Sequence, residues 1–170
     1  MRHPHVSKLG LLLALLLAAC DALELPTPPA PAPGAPPTEF ARDVVGLVNE
    51  ARAAGHDCGE EGVFAAAPPV ALEPRLTGAA QAHADDMHDH GYFSHTGRDG
   101  SRIGERVDRT GYRWSRVGEN IGQGYPDAAS VTADWLGSDG HCANLMDPDF
   151  VHLGVGRSGG YWVQVFGRPK

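Results

Sequence analysis

The sequence lacks an excess of positive charge. Its 170 residues carry 14 bases and 21 acids, a net charge of −7. Without Arg2 and Lys8 near its start, 12 bases face the same 21 acids, a net charge of −9. A domain of that sign has no electrostatic reason to bind nucleic acid, and no nucleic-acid partner is expected. The charges are mixed along the chain, the ordinary pattern of a solvated surface. No apolar run approaches the about 20 residues that a permanent membrane helix needs. Two catalytic signatures are also missing: the His-Glu-x-x-His helix of zinc proteases and the Gly-x-Ser-x-Gly elbow of serine hydrolases. No internal repeat is present. Cysteine is scarce, with three in the chain, and Cys20 stands far from Cys58 and Cys142.

The start of the chain explains that separation. Arg2 and Lys8 precede a short apolar run centred on Leu11–Leu17, which closes in Leu17-Ala18-Ala19-Cys20. A basic start, a short apolar stretch and small residues at a cleavage site describe an export signal over residues 1–19. The closing tetrapeptide resembles a bacterial lipobox, in which the cysteine takes a diacylglycerol and becomes the new N-terminus. An ordinary signal peptide would leave Cys20 as a stray thiol. Its position where a lipobox requires it favours lipidation, and two or three acyl chains anchor stably where one does not. Residues 20–37 then read as a tether. Pro26, Pro28, Pro29, Pro31, Pro33, Pro36 and Pro37 alternate mainly with alanine. Proline denies this segment helix and sheet and favours extended polyproline II, which at about 3.1 Å per residue reaches roughly 50 Å.

A single folded domain is expected over residues 38–170, long enough to bury a core. Phe40, Val44, Leu47, Val48 and Ala51 have the spacing of an amphipathic helix between a Thr38 cap and a Gly55 stop. A second helix is predicted from Pro74 to His90, with Leu76, Ala79, Ala80, His83, Ala84 and Met87 on one face and Gly91 as its stop. His83 in that stripe reads as a hydrogen-bonded core histidine, and His88 and His90 as surface residues. A short helix with Ile103 and Val107 inward runs from Ser101 to Gly111. Another opens at Pro126-Asp127, turns Ala128, Val131 and Trp135 inward, and ends at Gly137, Asp139 and Gly140. Two antiparallel strands close the chain, one around Val151, Leu153 and Val155 and one over Tyr161–Phe166, joined at Ser158-Gly159-Gly160. Their apolar runs predict burial on both faces, and the whole predicts an α+β domain with a helix-covered sheet.

Between these elements lies an ordered set of short motifs. Phe93-Ser94-His95, Arg106, Gly111-Tyr112, Gly118-Glu119-Asn120-Ile121, Trp135, Gly140-His141, Asn144, Gly154-Val155-Gly156 and Tyr161 to Gly167 follow in turn. In order and spacing they resemble the CAP superfamily (cysteine-rich secretory proteins, antigen 5 and pathogenesis-related 1), and within it the bacterial branch. The resemblance covers roughly residues 40–170. It implies a three-layer α-β-α sandwich with a central antiparallel sheet and a cleft lined by histidines and acids. His95 and Glu119 match the family's first histidine and first glutamate. His141 resembles the histidine of the bacterial Trp-x-x-Ser-x-Gly-His pattern. The glutamate that eukaryotic members carry three residues after the tryptophan is Ser138 here. Asp139 is nearby, but no motif supports it as a substitute.

Two imidazoles and a carboxylate have two chemistries open to them. They can hold Zn2+ or another divalent cation with a position free, or they can act as general acid and base near neutral pH. His95, Glu119 and His141 are the metal candidates. Catalytic residues stay unassigned, because Ser94 and Ser138 sit in no nucleophile motif. Cys58 and Cys142 are expected to pair, as two cysteines beyond an export signal do; the rival is a free Cys142 thiol acting with His141. Three functions follow. The first is a non-enzymatic, membrane-anchored binding module outside the cytoplasm with small-molecule, lipid or glycan-like ligands, as the resemblance suggests. The second is a metal-dependent hydrolase of peptides or cell-wall material. The third is a structural or interaction domain of the envelope.

Overall fold

The computed structural model describes residues 37–170. The expected export signal, Cys20 and all of the expected tether but Pro37 lie outside the described residues. Helix α1 spans Glu39–Ala54 and buries Ala41, Val44, Val48 and Arg52. Thr38 holds the extended N-cap backbone predicted for it, although its side chain makes no capping bond. A small hairpin pairs β1 (His56–Asp57) with β2 (Val63–Phe64) around a single 3-10 turn at Gly59–Glu61. After the short β3 (Ala71–Leu72), α2 runs from Pro74 to His90. Every residue expected on its inner face is buried, and Gly91 ends it in the left-handed conformation (φ 64°) that glycine adopts without strain.

Four strands form the main sheet in the order β3-β5-β6-β4, where β4 is Trp114–Gln123, β5 His152–Ser158 and β6 Tyr161–Pro169. The long strands are antiparallel; only the two-residue β3 lies parallel, against β5. Because side chains alternate along a strand, β6 feeds both faces. Trp162 and Phe166 join a core with α1, α4 (Ala128–Leu136) and α5 (Asp139–Met146). Val163 and Val165 join a second core with α2 and α3 (Ile103–Arg109). Helices on both faces of an antiparallel sheet make the α-β-α sandwich, and residues 162–167 are buried as predicted. Two glycines set the closeness of the layers. A Cβ on Gly154 would strike the backbone of Leu76 and Thr77, and one on Gly156 would strike Ala80 and Gln81. Helix α2 therefore rests directly on the β5 backbone.

Two elements depart from the sequence expectation. Residues Trp114–Gln123 form a ten-residue strand, although glycine and polar residues hide its alternation. The helix ends at Gly137 as expected, but Asp139 and Gly140 lie in a further helix rather than in a break. Gly137 closes α4, Ser138 turns extended, and Asp139 starts α5 with its carboxylate in the first turn, the favourable end of the helix dipole. Cys142 sits on α5 and is bonded to Cys58, with Cα atoms 5.5 Å apart. The pair excludes the free-thiol reading. It closes a sequence separation of 84 residues, for which the loop-entropy model gives about 4.5 kcal/mol.

Candidate functional site

The candidate site is at the edge of the sheet, because among the described residues β4 is an edge strand with β6 as its one neighbour. Consecutive residues of β4 point to opposite faces. Glu119 therefore meets the loop and helix on the α2–α3 side, and Asn120 meets α5 on the other. The two halves of the site are joined through two adjacent residues of one strand.

On the first side, a chain of charges is built on Glu119, whose side chain is 3% exposed. Arg106 Nη2 donates to Glu119 Oε2 at 2.7 Å, and His95 Nδ1 lies 2.8 Å from Glu119 Oε1. An ionised carboxylate only accepts, so Nδ1 carries the proton and His95 Nε2 is left unprotonated in the neutral ring. The His95 side chain is 56% exposed and lies at the cleft surface. Arg106 also donates to the carbonyls of His95 (3.1 Å) and Ser101 (2.7 Å). It fixes the backbone that carries the histidine as well as the carboxylate that orients its ring. Thr96, Arg102 and Ile103 complete a cleft of about 390 Å³ with His95 and Glu119.

On the second side, Asn120 Nδ2 donates to the His141 carbonyl at 3.1 Å and to Gln164 Oε1 at 3.2 Å. Asn144 Nδ2 donates to Asn120 Oδ1 at 2.9 Å and to the Glu119 carbonyl at 3.3 Å. This amide network locks the first turns of α5 to β4 and so places His141. The His141 ring is half-buried, and its buried Nδ1 has no hydrogen-bond partner among the described residues. Its pKa is lowered, chiefly by loss of hydration and then by the nearby charge of His95, against a smaller pull from Asp134. His141 senses His95 but does not line the His95 cleft itself.

The structure thus divides the three predicted residues by role. Glu119 spends both oxygens on His95 and Arg106, and among the described residues no three His, Cys, Asp or Glu side chains gather as a metal-binding group. Two imidazoles remain available. A carboxylate on the far nitrogen of a ligating histidine is the usual outer support of a metal site, and Glu119 has that relation to His95. Asp139 accepts from the Glu60 amide at 3.0 Å and so braces the 3-10 turn. Ser94 Oγ accepts from the Thr96 amide at 3.0 Å. His83 is the buried core histidine expected, 2.9 Å from the Ser94 carbonyl, and its pKa is lowered by burial and then by Arg106. Sequence reasoning gave Arg106 no role in the cleft. Its place one residue before Val107 and three after Ile103 puts it on the inward face of a short helix, where a buried arginine needs an acid.

Comparison with known proteins bears on the family and the fold. The family model described as "CAP: Cysteine-rich secretory protein family" matches residues 45–166. An uncharacterized protein of Bacillus subtilis, YkwD, is 33% identical over 100 residues, 58% of this chain and 39% of that protein. The uncharacterized membrane protein YlbC of the same organism is 34% identical over 87 residues, 51% of this chain and 25% of that protein. The chain thus matches well under half the length of these relatives. Among solved structures, an extracellular SCP-domain protein of Bacillus anthracis superposes with a TM-score of 0.68 at 27% identity, covering 79% of this chain and 45% of that one. An outer surface protein of Borrelia burgdorferi superposes with a TM-score of 0.61 at 17% identity, covering 76% and 89%, a likeness of fold.

Proposed function

The chain belongs to the CAP (cysteine-rich secretory protein) family, and from that premise we propose that it is a lipid-anchored binding module outside the cytoplasm. His95 at its cleft, together with His141, would hold a divalent transition metal, and the cleft would take a lipid or glycan-like ligand beside it. The observation that carries this reading is the His95–Glu119–Arg106 chain, which leaves His95 Nε2 free at an exposed surface with its tautomer fixed. The unpartnered buried nitrogen of His141 supports it from the other side. Two imidazoles make half of a tetrahedral set, so the site is open and weak rather than a structural zinc site. When bound, the metal would supply Lewis acidity toward a ligand oxygen.

Within this reading Glu119 is an outer support. Glu119→Gln should weaken cobalt binding by about tenfold to a hundredfold and keep its stoichiometry, whereas His95→Ala should abolish it. Equal loss in both variants would make Glu119 a direct ligand; no loss in either would remove the metal. The disulfide and the likeness to an extracellular protein support a place outside the cytoplasm. No helix among the described residues is long and apolar enough to cross a membrane, so attachment would rest on Cys20. Palmitate should label the wild type and spare Cys20→Ala; equal labelling would refute the anchor.

A second reading draws on the same chain of charges. A carboxylate-oriented imidazole is also the arrangement of a general base. Metal-dependent hydrolysis of peptide or cell-wall substrates that is lost in Glu119→Gln would select it, whereas saturable ligand binding without turnover selects the binding module.

A further inference from the structure

A larger cavity of about 530 Å³ lies between α2, α3 and the 97–101 loop, and it shares no lining residue with the His95 cleft. Its long wall is carbon, because Gly78, Ala79 and Ala82 of α2 leave room that larger side chains would fill. Around its mouth stand Asp85, Asp86, Asp89 and Asp99 against Arg98 and Arg109. Arg109 is engaged by Asp99 at 2.8 Å. Asp86 receives the Tyr92 hydroxyl and lies 3.0 Å from His90. Asp89 has no salt-bridge partner among the described residues. The mouth therefore keeps an excess of negative charge.

The inner end is unusual. His83 and Arg106 both line the cavity and are 1% and 7% exposed. Each keeps one polar atom without a hydrogen-bond partner among the described residues, His83 Nδ1 and Arg106 Nε. Since the Ser94 carbonyl can only accept, His83 carries its proton on Nε2 and leaves Nδ1 as a bare lone pair. Arg106 Nε only donates. Buried polar atoms in this condition are costly and call for partners. A hydroxyl group is both donor and acceptor, so it suits this pair where a purely cationic or purely anionic end suits half of it.

The geometry points to a binding site for a short amino alcohol. Its ammonium group lies among the mouth carboxylates, its carbon chain along Gly78, Ala79 and Ala82, and its hydroxyl toward His83 and Arg106. The site is distinct from the cleft and rests on no metal. His83 and Arg106 also brace that cleft, through the Ser94 carbonyl and through Glu119, so the test leaves both residues intact.

Aminohexanol is titrated into the isotope-labelled purified protein and followed by backbone amide resonances. Hexanediol and hexylamine serve as probes lacking the charge and the hydroxyl respectively. Aminohexanol should give saturable shifts centred on α2, with each of the other two about fivefold weaker. The His83 ring-nitrogen signal should respond to aminohexanol and stay unmoved by hexylamine. Ala82→Phe, which fills the cavity from an exposed position, should abolish the response, and Asp89→Asn should weaken it severalfold. Shifts that fail to saturate, an equal response to hexanediol, or undiminished binding by Asp89→Asn would overturn the assignment. The probe series and Asp89→Asn decide the matter even if Ala82→Phe does not fold.

Discussion

Replacing Arg106 with glutamine should be among the most damaging single changes in the domain. The guanidinium is 7% exposed and the Glu119 side chain 3%, so the charge left behind has little access to water. Breaking a buried ion pair by removing one partner costs about 3–5 kcal/mol, because the survivor stays buried and uncompensated. The bonds to the Ser101 and His95 carbonyls are lost with it. Against a typical domain stability of about 5–15 kcal/mol, that is about a fifth of the total or more. Urea denaturation followed by tryptophan fluorescence reads it directly, since Trp135 and Trp162 are both fully buried. The pair also predicts strong coupling. Arg106→Met combined with Glu119→Leu removes both charges and should cost less than Arg106→Met alone. A loss below about 1 kcal/mol for Arg106→Gln, the scale of an exposed pair, would refute the reasoning. So would a double variant that costs the sum of the singles.

Other expectations follow from the same structure. Free-thiol titration of denatured protein should find neither Cys58 nor Cys142, and changing both to serine should lower stability by up to about 4.5 kcal/mol in urea denaturation. His83 has a folded pKa below its ordinary 6.5, so the unfolded chain binds its proton first. Stability should therefore be fully present above about pH 6.5 and fall as the pH drops from there toward the folded value, and His83→Gln should flatten that fall in urea midpoints measured between about pH 7.5 and 5. Gly156→Ala should destabilise by about 2 kcal/mol or more, since its methyl group enters the α2 backbone; a neutral substitution would show that the layers can part.

Much of this architecture is legible in the sequence where one period dominates. Helix α2 announces itself because its apolar face repeats cleanly between a proline start and a glycine stop. The last two strands do so because β-branched and aromatic residues crowd them. The motif order from His95 to Gly167 identifies the family and, with it, the sandwich. Strand β4 is hidden for a physical reason. Gly118 and Gly122 occupy places where a Cβ would meet Phe150 or Val131, and Glu119 and Asn120 turn inward to build the site. Glycines and hydrogen-bonding side chains stand where the apolar pattern that marks a strand would be. Helix α5 is hidden because Gly140 weakens its propensity, while the disulfide and packing of Leu145 and Met146 hold it. Arg106 and Arg52 escape because buried arginines break the rule that charge lies outside. Arg52 donates to the carbonyls of Pro68, Leu145, Asp147 and Phe150, partners far apart in sequence. The cleft candidates His95 and Glu119 are legible as residues, but their division into an exposed imidazole and its buried support is a fact of three dimensions.

The proposed function depends on His95 and His141 binding a metal ion together. Zinc titration by calorimetry, comparing the wild type with a His95→Ala, His141→Ala double variant of unchanged fold, tests it most directly. Weak binding near one equivalent is expected in the wild type and none in the variant. Identical heats from both folded proteins would contradict it and return the two histidines to the architecture of the fold.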